Sequence, residues 1–116
     1  MNNRERRQLG QAAERRARAH LERHGLRCEA VNWHCRHGEL DLVMRDGDTI
    51  VFVEVRYRSR AAYGGAAASI DPRKQQKLLR AARHYLAGLG TQPPARFDVV
   101  AIEGDRLHWI VDAFGA

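Results

Sequence analysis

Residues 38–59 read GELDLVMRDGDTIVFVEVRYRS, two β-leaning runs joined through Asp46-Gly47, a dipeptide that marks a hairpin. The aliphatic and aromatic residues suit a pleated strand, whereas Glu39, Asp41 and Glu54 do not. Strand alternation sends Leu40, Leu42 and Met44 to one face and Glu39 and Asp41 to the other. In the second run Ile50, Phe52, Glu54 and Arg56 share a face opposite Val51, Val53, Val55 and Tyr57, so Glu54 stands among apolar neighbours on both sides. A lone carboxylate there loses much of its hydration, and it requires an ion pair or a metal.

Neighbouring strands lie about 4.8 Å apart, so Asp41 and Glu54 converge if the register aligns them on one face. Two like charges that close repel and invite a cation. A hard divalent ion such as Mg²⁺ takes one or two carboxylates plus waters and substrate phosphates, and it accounts for both acids together. A ladder of Glu54 with Arg56 and Arg58 accounts for Glu54 but leaves Asp41 unexplained.

Outward from this hairpin the chain reads as seven elements. From about Arg4 to His24, Leu9, Ala13, Ala17 and Leu21 recur every fourth position, which predicts an amphipathic helix ended by Gly25. LRCEAVNWH is a first strand ahead of the hairpin. RSRAAYGGAAAS, with Gly64-Gly65, reads as a mobile small-residue loop. Asp71 as N-cap and Pro72 at the first helical position open a second helix. Pro93-Pro94 then break the chain before RFDVVAIE and RLHWIVDAF, a second hairpin turning at Gly104-Asp105, in which Trp109 and Phe114 are expected as buried aromatics. The order αβββαββ predicts an α/β fold, a mixed β-sheet flanked by helices.

At 116 residues the chain is expected to form a single domain spanning residues 1–116. With 44% hydrophobic and 29% charged residues its composition is globular, and no apolar run approaches the ~18–20 residues that cross a bilayer. The basic N-terminus has no unbroken apolar segment of the secretory kind, which makes a cytoplasmic location the expectation and a membrane partner unexpected. Cys28 and Cys35 do not have zinc-knuckle spacing and are expected as reduced strand or core residues.

The net charge is +6, and 18 of the 20 cationic residues are arginine. Such an excess attracts polyanions, and the planar guanidinium suits phosphate, although an arginine-rich composition also follows from genomic base content. Glu14 lies three residues before Ala17 and seven before Leu21, on or beside the buried stripe of the first helix. It either looks inward or pairs with Arg18. Lys74 and Lys77, the only two lysines, sit in the first turns of the second helix, where a cation gains nothing from the dipole and a phosphate partner would explain it.

Gly38-Glu39-Leu40-Asp41, Phe52-Val53-Glu54-Val55-Arg56, Lys74 and Arg96-Phe97-Asp98 resemble the YraN-type bacterial family. The likeness extends from Gly10 and Glu14 through Asn32-Trp33 to Asp98. That family is placed in the PD-(D/E)XK nuclease superfamily, close to the archaeal Holliday junction resolvases. The resemblance implies a restriction-endonuclease-like core with Asp41 and Glu54 as metal-binding acids, Mg²⁺ or Mn²⁺ as the ion, the Val55 carbonyl as a further ligand and Glu14 as the helix-one glutamate. Position 56, which holds the catalytic lysine of the superfamily, is arginine here. Arg56 stays protonated and cannot act as a base, though it can stabilise charge on a phosphate, while Lys74 is a candidate for the vacant role.

The expected activity is metal-dependent phosphodiester hydrolysis on DNA, branched or otherwise structured. Arg58, Arg60, Arg73 and Lys77 and the first-helix arginines would grip backbone phosphates, and a homodimer is implied by the resolvase-like relatives. An inactive nucleic-acid-binding module that retains the nuclease fold is the alternative, and a protein-interaction domain with merely compositional arginines is the third.

Overall fold

The computed structural model describes residues 2–58 and 70–115. Its elements are α1 (Asn3–Arg23), β1 (Arg27–Cys35), β2 (Gly38–Asp46), β3 (Thr49–Arg58), α2 (Pro72–Ala87), β4 (Ala95–Glu103) and β5 (Arg106–Phe114). This is the expected αβββαββ order. The small-residue loop around Gly64-Gly65 lies outside the described residues.

Local chemistry accounts for the boundaries. Asn2 caps α1 by accepting from the Glu5 N–H at 2.8 Å, and Gly25 leaves the helix at φ +93°, a conformation that favours glycine. Asp71 caps α2 by accepting from the Lys74 N–H at 2.8 Å, with Pro72 following. The β2–β3 hairpin turns through Gly47 at φ +60°.

The strands form one sheet in spatial order β1-β2-β3-β4-β5. The β3–β4 pair is parallel, with α2 in the connection, and the other pairs are antiparallel. The sheet is therefore mixed and has a helix on each face. On one side α2 presses Leu78, Leu79, Ala81 and Ala82 onto Val43, Ile50, Phe52, Phe97 and Val99. On the other, α1 presses Ala13, Ala17 and Leu21 onto Leu42, Met44, Val51, Val53, Val100 and Ile102. The small Ala13 and Ala17 let the α1 backbone approach the sheet closely, and each fully buried Phe, Leu or Ile contributes roughly 1.5–3 kcal/mol.

One strand departs from simple alternation. Leu42 and Met44 face α1 as a pair, but Leu40, expected beside them, packs on the α2 side with Val43. The flip coincides with a kink in the adjoining strand. Asn32 stands between Val31 and Trp33, which pair with Leu42 and Leu40, so it lies across from Asp41, and its φ is +50°. Asparagine tolerates that left-handed conformation better than most residues do. Both strands thus bend at one level, and the regular β2–β3 ladder ends at Leu42–Val53. The aromatic pair expected to be buried in the last hairpin is only half-buried: Trp109 packs against the α1-side cluster and Phe114 against the α2-side one.

Candidate functional site

The end of the β2–β3 ladder brings two acids together. Beyond Leu42–Val53 the Val55 N–H donates to Asp41 Oδ2 at 2.9 Å, so a side chain takes up a backbone donor where the two strands part. Asp41 and Glu54 are close enough to share a hydrogen bond. Burial and the neighbouring Glu54 charge push the Asp41 carboxyl from its ordinary 3.8 up to about 7, against the lowering effect of the Val55 N–H and Lys74. The raised value favours a proton held between the two carboxyls well above the usual carboxylate range.

Glu54 is the more deeply placed of the two, with 4% of its side chain exposed. Lys74 Nζ approaches its Oε2 to 3.3 Å from α2, and Arg56 Nη1 stands 3.7 Å from the same atom. Leu40, Phe52 and Phe97 of the sheet and Leu78 of α2 wall the acids. Such walls lower the local dielectric and strengthen every charge interaction at the pair. The Glu54–Arg56 pairing considered from the sequence is present, but at 3.7 Å it is longer than the contact to Lys74.

Glu14 comes in from α1. Its carboxyl is half-buried, hydrogen-bonds the Asn32 side chain and is pushed upward by burial and by Asp41 and Glu39. Arg18 pairs instead with Glu22 at 3.3 Å, so of the two readings of Glu14 the inward one describes its position. It lines an open cleft of about 480 Å³ with Arg7, Gln11, Asn32, His34 and Glu39. Among the described residues no three His, Cys, Asp or Glu side chains gather as a metal cluster, and Glu14 lies near enough to Asp41 to feel its charge. The donor set at the pair is two carboxylates, which fits an ion of the Mg²⁺ kind that keeps much of its water and does not fit a closed all-protein cage. At Val55 it is the N–H that meets Asp41.

The candidate phosphate-binding residues distribute as follows. Arg73 and Lys77 are exposed on α2, Arg58 ends β3, and Arg60 lies outside the described residues. Cys28 and Cys35 are free, half-buried and both in β1. No helix is long and apolar enough to cross a membrane.

A second acid centre was not singled out from sequence. Asp98 is fully buried on β4 and accepts from Arg96 Nε at 3.0 Å and Nη2 at 3.2 Å, from Trp109 Nε1 at 2.8 Å and from the Asp112 N–H at 2.9 Å. Arg96 also reaches Asp46 at 3.1 Å. With all its acceptor positions used, Asp98 pins β5 and the β2–β3 turn to β4. The alternation of Arg96 and Asp98 on one strand face was the available signal. Asn32 was missed in its conformation, although an asparagine inside a β run hints at a bend.

A mixed five-stranded sheet with a helix on each face and two carboxylates at the parting of β2 and β3 defines an α/β protein with a paired-carboxylate centre. The chain belongs to the uncharacterised protein family UPF0102, whose model matches residues 13–102. It is 59% identical over 108 residues to a UPF0102 protein of Cupriavidus taiwanensis, covering 92% of this chain and 82% of the relative. It is 55% identical over 111 residues to one of Pseudomonas fluorescens, covering 92% of each chain. A third relative, from Halorhodospira halophila, is 57% identical over 109 residues, covering 93% of this chain and 88% of its own.

Proposed function

We propose that the protein is a metal-dependent nuclease acting on DNA, branched or otherwise structured, with Asp41 and Glu54 holding Mg²⁺ or Mn²⁺. The observation that carries this reading is the Asp41–Glu54 pair itself: two carboxylates in contact, with Asp41 pushed up to about 7. A structural ion pair does not need two acids side by side, whereas a divalent ion replacing their shared proton does. Bound there, such an ion would polarise a phosphoryl oxygen and lower the pKa of an attached water.

The chain's own groups divide the remaining work. The Val55 N–H orients Asp41, and Lys74 holds Glu54 from the helix side. Lys74 is the one amine at the pair, able to give or take a proton where arginine cannot. Arg56 carries a fixed positive charge suited to a phosphate oxygen. Arg73 and Lys77 supply phosphate contacts that position the duplex without reading its sequence.

The test is isothermal titration of Mn²⁺ into the wild type and into Asp41→Asn and Glu54→Gln, followed by incubation with labelled junction and linear DNA. Heat and cutting are expected from the wild type and neither from the variants. Equal behaviour of all three proteins discredits the site.

A second reading has its own observation. Glu54 already meets two cations, at 3.3 and 3.7 Å, and one of them replaces the superfamily's lysine. These features favour a catalytically inactive nucleic-acid-binding module that keeps the fold. DNA binding that survives EDTA, without products in Mn²⁺, selects it.

A further inference from the structure

Helix α2 carries Arg73, Lys74, Lys77, Arg80 and Arg83 and no acidic residue. Its apolar stripe is fully used against the sheet by Leu78, Leu79, Ala81 and Ala82. On the opposite side Arg73, Lys77, Arg80 and His84 follow one another at steps of four, three and four residues, and all four are exposed. At about 1.5 Å rise per residue those steps place the cations Arg73, Lys77 and Arg80 roughly every 4.5–6 Å along a single line, with the His84 ring one step beyond them. A row of like charge weakens its own helix, and its first members oppose the helix dipole. Among the described residues Arg73, Lys77 and Arg80 take part in none of the ion pairs, which run through Arg18, His34, Arg45, Arg56, Lys74 and Arg96. The row is therefore built for an external polyanion.

The row ends on rings. His84 meets Trp33 of β1 at 5.8 Å and 62°, and it meets His37 of the β1–β2 turn at 5.7 Å and 61°. Tyr85 meets Trp33 at 5.3 Å and 86°. All three contacts are edge-on, so no ring of the cluster is stacked flat on another of its members. The cluster is also braced: the Tyr85 hydroxyl donates to Glu29 Oε2 at 2.8 Å, and Arg45 holds the other oxygen of that carboxylate at 2.7 Å. His84 is exposed, while Trp33 and His37 are half-buried. Trp33 follows Asn32, the residue across from Asp41, and it packs on the α2 side of the sheet with Leu40. In the β1–β2 ladder Trp33 pairs with Leu40, the residue before Asp41, and the same helix α2 carries both His84 of the ring cluster and Lys74 at Glu54.

We propose that α2 and the Trp33–His84–His37 cluster form a track for a single-stranded stretch of nucleic acid. The cationic row takes successive phosphates, and an unpaired base stacks against the rings. The inference rests on the nucleic-acid reading above and narrows its substrate to DNA that offers unpaired nucleotides beside the acidic centre. Charge alone suits any polyanion, but a duplex keeps its base faces stacked internally and has nothing to give the rings. An unpaired base has two free faces, and its stacking on aromatic side chains is tolerant of sequence.

The experiment is fluorescence anisotropy of the full chain with a labelled oligothymidylate and with a blunt duplex of equal charge, in EDTA, over a series of KCl concentrations. The wild type is expected to prefer the single strand. His84→Ala and Trp33→Leu should each weaken single-strand binding by about tenfold while leaving duplex affinity and the salt slope unchanged. Lys77→Gln combined with Arg80→Gln should weaken both forms and flatten the salt slope by about one unit for each phosphate no longer neutralised. No preference in the wild type, equal weakening on both DNA forms from the ring variants, or absence of binding overturns the proposal. Because His84 is exposed, its variant decides the matter even where Trp33→Leu proves unfolded by circular dichroism. EDTA separates the two readings: a protein that passes this test yet neither binds Mn²⁺ nor cuts keeps the track and loses the nuclease assignment.

Discussion

Lys74 Nζ stands 3.3 Å from Glu54 Oε2, a contact between the first turn of α2 and the interior of β3. It links the helix that bears the cationic row to the strand that bears the buried acid. Glu54 is thus compensated from outside its own sheet, and its partner Asp41 is left to share a proton with it. The balance between those two acids generates most of the measurable behaviour expected of the protein.

Replacing Asp41 by asparagine should stabilise the protein at alkaline pH. The folded state raises the Asp41 pKa from 3.8 to about 7, so it binds the proton more tightly than the unfolded chain does. Stability from this group is complete below the unfolded value and is lost as pH rises through the window between the two. Asparagine copies the protonated acid, with its oxygen available to the Val55 N–H and its amide able to donate to Glu54. Thermal melts should show wild-type Tm falling across that window and the variant holding flat. Above it the variant should melt higher by about 4–8 °C, the shift that ~1 kcal/mol produces in a domain of this size. Parallel melting curves at all pH values would contradict the shared proton.

Binding of Mn²⁺ should be proton-linked for the same reason. An ion that uses Asp41 must displace its proton at any pH below about 7. Apparent affinity is expected to fall by about tenfold per pH unit below that value, as displacement of one proton requires, and to level off above it. Titrations in buffers of different ionisation enthalpy should register about one proton released in acid. A pH-independent affinity places the ion elsewhere.

Placing a lysine at position 56, as the resemblance to PD-(D/E)XK nucleases would have it, separates the two functional readings. Arg56 contacts Glu54 at 3.7 Å and remains charged, whereas a lysine at the same place can lose its proton beside the centre. If the protein cuts DNA, Arg56→Lys should raise the single-turnover rate in Mn²⁺ by about tenfold or more, within the range that a well-placed acid–base group supplies. A variant as slow as the wild type assigns the proton transfer to another group, with Lys74→Gln the next measurement.

Asp98→Ala should be among the most damaging single substitutions. Asp98 is fully buried and takes bonds from Arg96, Trp109 and the Asp112 backbone. Removing it strands a guanidinium and an indole donor, a loss of about 3–5 kcal/mol by analogy with broken buried pairs. Urea titration measures it directly. Asp98→Asn, which keeps two of the acceptor contacts, should lose less, and a loss under about 1 kcal/mol from the alanine variant would show the network to be slack.

Much of this architecture was legible in residue order. Asp71-Pro72 announced α2, Gly25 ended α1, and Asp46-Gly47 marked the hairpin, because capping, φ preference and turn chemistry act over a few residues. The facing of Phe52 and Glu54 away from Val51 and Val53 followed from strand alternation. The facing of Leu40 did not, since alternation presumes an unbroken strand and the bend at Asp41 depends on Asn32 in the neighbouring one.

Local interactions alone determined the element order, the two helical faces and the identity of the acids Asp41 and Glu54, since each of these depends on neighbours within a few positions. Only tertiary contact decided that Val55 holds Asp41, that Lys74 reaches Glu54 and that Asp98 gathers Arg96 and Trp109. Those relationships arise when strands distant in sequence are set side by side by burial of their aliphatic faces. The energy of a charge in such a place depends on what surrounds it in space, which no window along the chain contains.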